Sequence, residues 1–326
     1  MSKADTRSIV LVTGGAGFLG SHICDRYKDK YRVVVVDNFM TGRRENVPAG
    51  CEVISIDVTS NLFLEEMRML YYKHDISRIF NFACPASPPK YQLDPVHTMM
   101  TSVVGTNNTL KLARDFGSIF VQASTSEVYG DPEVSPQVES YRGCVNTIGP
   151  RACYDEGKRA AEALCYDYAR MGVNVRVARI FNTYGPRMDV DDGRVVTNFV
   201  KQALLGDDIT IYGDGLQTRS FCYVRDLIDG IVGLAEVPDA PQHPVNIGNP
   251  TEFTVLGLAG KVLDLIPESK SKIIMCDLPV DDPKQRKPDT GCAETYFGWK
   301  AGIKLGWGLS MMIDYVRDEL KRMGRL

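Results

Sequence analysis

Ile9-Val10-Leu11-Val12 forms an unbroken apolar run that leads into Gly14-x-x-Gly17-x-x-Gly20, and this junction limits the fold more than any other feature. A short run of this kind suits a strand covered on both faces. Glycines at that spacing permit a tight turn and a close backbone approach to a pyrophosphate. They also let the first helix pack tightly, with its opening amides facing the anion. The helix pattern continues through Ile23. A second β-branched run, Arg32-Val33-Val34-Val35-Val36, then ends at Asp37, 17 residues after Gly20.

The same alternation continues, with strands expected near 52–56, 78–83, 118–123 and 174–180 and helices near 62–73, 97–116 and 154–171. Such a rhythm predicts an α/β chain with a doubly wound parallel (Rossmann) sheet. Past residue 182 the rhythm loosens into Gly-, Asp- and Pro-rich loops around 185–194, 212–219 and 279–290. Smaller helices are expected near 195–205, 225–236, 254–266 and 309–322. We therefore expect residues 1–181 to form a dinucleotide-binding domain that also carries the catalytic pair. Residues 182–326 would form a smaller C-terminal, mainly substrate-binding region over the sheet's carboxyl edge, with possible chain exchange between the two.

At 326 residues and 44% hydrophobic content, the chain can bury a large core. Its 38 basic and 41 acidic side chains leave a net charge of −3, which argues against nucleic acid as a main partner. The nine cysteines contain no CxxC pair and are odd in number. They point to a reducing compartment rather than to a disulfide framework or structural zinc. His22, His74, His97 and His243 do not stand at metal-ligand spacing, so no metal is expected. The polar start Met1-Ser2-Lys3-Ala4-Asp5 leaves no room for a signal peptide or anchor, and no apolar run approaches bilayer length. A soluble cytoplasmic protein is the expectation.

Asp37, at the end of the second strand, suits the adenosine ribose hydroxyls and repels a 2′-phosphate, which favours NAD over NADP. Arg43 and Arg44 follow closely and could in principle accommodate that phosphate. Asp57-Val58, at the third strand's end, would flank the adenine, although Asp57 could equally cap a loop. Downstream, Tyr154 and Lys158 lie one helical turn apart and share a helix face. A phenol is a poor base at neutral pH unless nearby positive charge stabilises the phenolate, and Lys158 together with a cationic nicotinamide would supply it. Thr125, in Ser124-Thr125-Ser126-Glu127, could share the substrate's proton while Tyr154 removes it and hydride departs to the cofactor. An isolated Tyr/Lys pair is common on solvated helix faces. The polar, Gly-containing stretch Tyr154-Asp155-Glu156-Gly157-Lys158 is not what packing alone would favour.

Several further stretches are specific: Ala83-Cys84-Pro85-Ala86-Ser87-Pro88-Pro89, Ser124 to Pro132, Gly149 to Arg159, Arg179 to Met188, Asp192 to Asn198 and Gln217 to Phe221. Asp281-Asp282-Pro283 with Arg286-Lys287-Pro288-Asp289 completes them. Taken in order, they make the chain resemble, nearly end to end, the extended short-chain dehydrogenase/reductase family and, within it, the UDP-glucuronate decarboxylases. The resemblance implies Tyr154 as catalytic base and Lys158 as its partner, with Thr125, Ser126, Glu127 and Arg219 around the sugar. It implies that Asn182, Asn198, Tyr212, Gln217 and Arg286 contact the UDP portion. Thr183 and Arg194 would lie between cofactor and substrate. Around NAD it implies Gly14, Gly17, Phe18, Leu19, Gly20, Asp37, Asn38, Phe39, Thr41, Gly42, Asp57, Val58, Phe82, Ala83, Cys84 and Thr101. Two positions depart from the family pattern: Ser102 stands where relatives usually carry Asn, and Met100 where a Lys often reaches the nucleotide.

The reaction so implied is decarboxylation of UDP-glucuronate to UDP-xylose and carbon dioxide through a 4-keto intermediate, with NAD regenerated. Relatives diverge after Thr125. A 4,6-dehydratase carries an Asp-Glu pair there to expel water, whereas Ser126 is a poor acid. A 4-epimerase usually has small or uncharged residues there, which would leave Glu127 unexplained. Arg219 could receive the substrate carboxylate or organise a water that protonates C5. Plainer readings stay open: Glu127 capping a turn, Arg219 pairing with Asp226 or Asp229, Tyr212 packing in a turn, and Arg286-Lys287 on a solvated loop. A uronate 4-epimerase and a non-catalytic nucleotide sensor are the rival functions. The resemblance also implies a homodimer formed through 97–116 and 154–171.

Overall fold

The computed structural model describes residues 7–239, 241–277 and 285–326, so Met1 to Asp5 and the Asp281-Asp282-Pro283 motif lie outside the described residues. The first half runs β1 (Ile9–Thr13), α1 (Phe18–Tyr27), β2 (Arg32–Val36), β3 (Glu52–Ile54), α2 (Phe63–Tyr71) and β4 (Ile76–Asn81). It continues with α3 (Pro88–Tyr91), α4 (Pro95–Met100), α5 (Thr106–Phe116), β5 (Ile119–Thr125), α6 (Ala152–Arg170) and β6 (Val175–Ile180). The second half adds β7 (Thr183–Tyr184), α7 (Val195–Leu205), β8 (Ile209–Tyr212), β9 (Thr218–Ser220), β10 (Cys222–Tyr223), α8 (Val224–Glu236) and β11 (Val245–Ile247). The chain ends with β12 (Glu252–Thr254), α9 (Val255–Leu265), β13 (Ile273–Cys276), β14 (Gln285–Arg286), α10 (Gly291–Phe297) and α11 (Leu305–Arg322).

Seven strands form one parallel sheet in the order β11-β6-β5-β4-β1-β2-β3, the doubly wound arrangement expected from the alternating runs. Successive side chains of a strand point to opposite faces. Accordingly Val10 and Val12 enter one core, with α1, α7, α8, α9 and α11, while Ile9 and Leu11 enter the other, with α2, α5 and α6. On α2 the buried Phe63, Met67 and Tyr71 recur every four residues, which turns one helix face to the sheet. Both faces are thus covered, and this is why β1 and β2 read as continuous apolar runs. Among the described residues no helix is long and apolar enough to cross a membrane.

Two departures bear on the site. The single helix expected over 97–116 is broken into α4, a π-helical turn at Thr101–Gly105, and α5. Within the break the Thr101 hydroxyl donates to the His97 carbonyl at 2.8 Å, a local bond that competes with the regular ladder. The seventh strand, β11, was not foreseen. Three residues, Val245-Asn246-Ile247, are too few to display a period, yet they pair with Ala178-Arg179-Ile180 at the sheet edge. Beyond the sheet, β12-β9-β14 forms a small ladder that sets Arg286 in register with Arg219.

Candidate active site

At the carboxyl end of β1, Gly14 adopts a left-handed φ of 69°, and a Cβ there would meet the Ala83 amide nitrogen at 2.7 Å. A Cβ on Gly20 would lie 2.2 Å from the Gly14 carbonyl. The glycine pattern is therefore demanded by how closely α1, the turn and β4 approach one another. Asp37 is buried. Its two oxygens accept the Ala16 amide at 3.0 Å and the Phe39 amide at 2.8 Å. Burial pushes its carboxyl up and these amides pull it back, and each oxygen keeps a lone pair for a ribose hydroxyl.

Phe39 holds a left-handed φ of 58°, fixed by that bond and by the Arg44 guanidinium 4.3 Å above its ring. Arg43 pairs with Glu319 at 2.8 Å and Glu45 at 2.7 Å. Arg43 is thus engaged by two carboxylates, while Arg44 is exposed and lies over the Phe39 ring. Gly14, Gly17, Asp37, Asn38, Thr41, Gly42, Asp57, Val58, Phe82, Ala83, Cys84 and Thr101 line one cleft. Phe18, Leu19 and Gly20 form the first turn of α1 beside it. Asp57 accepts from Asn38 at 2.7 Å and from the Thr59 amide at 2.7 Å, so it caps its own loop while facing the cleft.

Tyr154 lies in the first turn of α6, buried, with its ring parallel to that of Tyr91 at 5.1 Å. Burial, reinforced by the Cys84 thiol and Glu127, pushes its phenol well above the usual range. A hydrogen bond with the Thr125 hydroxyl and the Arg194 charge oppose the shift. Lys158 sits one turn on, its Nζ 5.7 Å from the Tyr154 ring centre and donating to the Ala123 carbonyl at 2.9 Å. That bond anchors the ammonium to β5, the strand whose end carries Thr125. The Thr125 hydroxyl also accepts the Glu127 amide at 3.2 Å, which fixes the turn that aims Glu127.

Glu127 is the centre of the polar end. Its Oε2 accepts from Arg151 and Arg286, each at 2.9 Å. Burial alone would raise its pKa, but the charges of Arg286, Arg151 and Arg219 hold it at about 2. Arg286 is only 2% exposed and also donates to the Gly130 carbonyl at 2.6 Å, so it belongs to the buried site rather than to a solvated loop. Arg219 is buried, and its charge reaches Glu127. The carboxylates it might have paired with are otherwise engaged: Asp226 accepts the Gly302 and Ile303 amides, and Asp229 faces Arg26 at 3.4 Å.

Thr183 is buried and donates to the Phe181 carbonyl at 2.8 Å, while Arg194 makes a two-pronged pair with Asp192. Farther out, Tyr212 is 45% exposed at the end of β8, and Gln217 donates to its carbonyl at 2.7 Å. Asn198 donates to the Gly193 carbonyl at 2.9 Å, and the Asn182 carbonyl accepts the Cys222 amide at 2.9 Å. Asn182 lies just after β6, Asn198 on α7, Tyr212 at the end of β8 and Gln217 in the loop that follows, and these four are not gathered on Glu127. Ser126 is buried. Ser102 is also buried and wedges between Cys84, 3.3 Å away, and Gly157 of α6, whereas Met100 is 43% exposed.

Sequence reasoning had not singled out Tyr91, Arg151, Asp155 or Asp192. Arg151 and Asp155 stand one helical turn apart within the Gly149–Arg159 stretch, a spacing that was available as a signal. Nothing local indicated that Tyr91 would stack on Tyr154. Among the described residues no cluster of three or more His, Cys, Asp or Glu could hold a metal.

The chain is 50% identical over 319 residues to UDP-glucuronic acid decarboxylase 3 of Arabidopsis thaliana, covering 95% of this chain and 90% of that one. Its fold matches UDP-glucose 4-epimerase of Thermotoga maritima, solved with UDP-glucose, at a TM-score of 0.87 and 28% identity over 96% of this chain and 99% of that one. UDP-glucuronic acid 4-epimerase of Bacillus cereus, solved with UDP-glucuronic acid and NAD, matches at a TM-score of 0.82 and 26% identity, covering 95% and 99%. With residues 10–248 fitting the family's own sequence model, the chain belongs to the NAD dependent epimerase/dehydratase family.

Proposed function

We propose that this protein decarboxylates UDP-glucuronate to UDP-xylose and carbon dioxide, a carboxy-lyase reaction that uses NAD and regenerates it. The half-identical Arabidopsis relative that bears the decarboxylase name supports the reading. The observation that carries it is Glu127, kept ionised by Arg286, Arg151 and Arg219 beside the Tyr154–Thr125 pair. An ionised Glu127 next to Ser126 offers no acid with which to expel water at C6, which disfavours a dehydratase.

NAD is the cofactor; Gly14, Asp37 and Asp57 would hold it in their cleft, where it would supply the acceptor for the C4 hydride and the source of its return. Tyr154 Oη, supported by the Lys158 ammonium, takes the C4 hydroxyl proton, and the Thr125 hydroxyl shares it. The resulting ketone is β to the C6 carboxylate, so the carbon–carbon bond can break with its electrons moving into the C4 oxygen. The Tyr154 and Thr125 hydroxyls stabilise that oxygen as an enolate. Arg219 receives the substrate carboxylate or holds the water that protonates C5, and Glu127 orients that water. Thr183 and Arg194 stand between cofactor and sugar. Asn182, Asn198, Tyr212 and Gln217 line the outer path for UDP, with Arg286 at its inner end. Residues 182–326 form the sugar-nucleotide-binding region and 1–181 the cofactor domain. The segments 97–116 and 154–171 are the proposed homodimer face, with Met100 and Met171 among its exposed apolar groups. Nine free cysteines accord with a cytoplasmic setting.

The test is incubation with UDP-glucuronate and NAD, followed by mass spectrometry. UDP-xylose and carbon dioxide should appear without net NADH. UDP-galacturonate, with its carboxylate retained, would overturn this reading in favour of a 4-epimerase.

A further inference from the structure

Asp155 is a carboxyl in an unusual position. It is 7% exposed, its Oδ1 has no hydrogen-bond partner, and its side chain makes no hydrogen bond or ion pair with any described residue. It stands four residues after Arg151 on α6, so the two side chains share a helix face. Arg151, in turn, donates to Glu127 at 2.9 Å. A buried carboxylate without a partner is strongly disfavoured and resolves the conflict by staying protonated.

We propose that Asp155 is a positioning residue for the decarboxylation. Uncharged, it leaves the Arg151 guanidinium on Glu127; ionised, it draws that guanidinium away and loosens the hold on Glu127. The inference rests on the decarboxylase reading given above.

The surroundings set where the change occurs. Glu127 approaches from the end of β5, Arg286 from β14, Tyr91 from α3, Arg151 from the entry of α6 and Glu156 from the next position along it. The Cys153 thiol of α6 also faces Asp155, whereas His97 of α4 faces Asp57 at 3.5 Å and Lys90 of α3 faces Asp189 at 3.3 Å. Burial first and the Glu127 charge second push the Asp155 carboxyl up to about 7, against the opposing pull of Arg151 and Arg286. The change therefore falls in the neutral range. A carboxyl raised from 3.8 to about 7 contributes stability below pH 3.8 and loses it as the pH climbs through 7.

The experiment compares full-length wild type with Asp155→Asn, which keeps the shape and removes the charge. Turnover of UDP-glucuronate to UDP-xylose and urea-unfolding midpoints are measured from pH 6 to pH 8.5. The ratio of Asp155→Asn turnover to wild-type turnover should rise about tenfold between pH 6 and pH 8, following ionisation of the wild-type carboxyl. The midpoint of the variant should rise relative to wild type over the same interval. A double-mutant cycle with Glu127→Gln in the unfolding assay should be non-additive at pH 8, where the wild-type carboxyl is ionised. A flat turnover ratio with a moving midpoint overturns the proposal, since Asp155 would then ionise without reaching Glu127. A flat midpoint overturns it because no charge change occurs. If wild type makes no UDP-xylose at any pH, the decarboxylase reading fails, and the unfolding cycle alone decides whether Asp155 acts on Glu127.

Discussion

Replacing Arg286 with Met tests whether the site is held by a buried charge network or merely packed. Arg286 is 2% exposed and donates to Glu127 at 2.9 Å and to the Gly130 carbonyl at 2.6 Å. Removing one partner of a buried ion pair typically costs about 3–5 kcal/mol, because the other charge stays buried. Arg151 still serves Glu127, which places the pair's share at the low end. The Gly130 carbonyl loses a donor, which adds about 1 kcal/mol. The expected destabilisation of Arg286→Met is thus about 4 kcal/mol, read from urea unfolding at pH 7 with an unchanged denaturant slope. Glu127→Gln alone leaves the guanidiniums without their carboxylate and should also destabilise. The double variant should recover roughly 1.5–3 kcal/mol of the summed loss, as contacting charges are non-additive. A loss below about 1 kcal/mol for Arg286→Met, or effects that simply add, would refute the buried-network reasoning and return Arg286 to an ordinary loop role.

Tyr154→Phe should retain NAD binding by titration calorimetry while turnover falls by several orders of magnitude, and preserved turnover would remove Tyr154 as the base. Arg219→Ala should depress carbon dioxide release far more than NAD affinity; an equal rate would move the substrate carboxylate to another residue. Gly20→Ala places a Cβ 2.2 Å from the Gly14 carbonyl, so α1 must shift. NAD affinity should drop at least tenfold, and a normal dissociation constant would show that the turn adapts.

The features legible in the sequence were those written in short-range spacing. The apolar runs of β1 and β2, the glycine turn, Asp37, and Tyr154 with Lys158 at i+4 each follow from strand or helix periodicity within a few residues. These local periods sufficed for a doubly wound sheet and for naming candidates at both ends of the proposed site. The glycine spacing suggested a dinucleotide, and the pairing of Arg43 with Glu319 takes up one of the two cations that could have met a 2′-phosphate.

What the tertiary structure alone decided concerns residues far apart in the chain. Arg286 meets Glu127 across 159 positions, Tyr91 stacks on Tyr154, and β11 returns to the sheet edge beside β6. The break in 97–116 and the partnerless state of Asp155 are of the same kind. Spacing along the chain specifies which side chains share a face, but not which distant face is packed against it. The charge state of Glu127 and Asp155 depends on that second fact, because ionisation energies are set by burial and by neighbouring charge, and both exist only once the chain has closed around them.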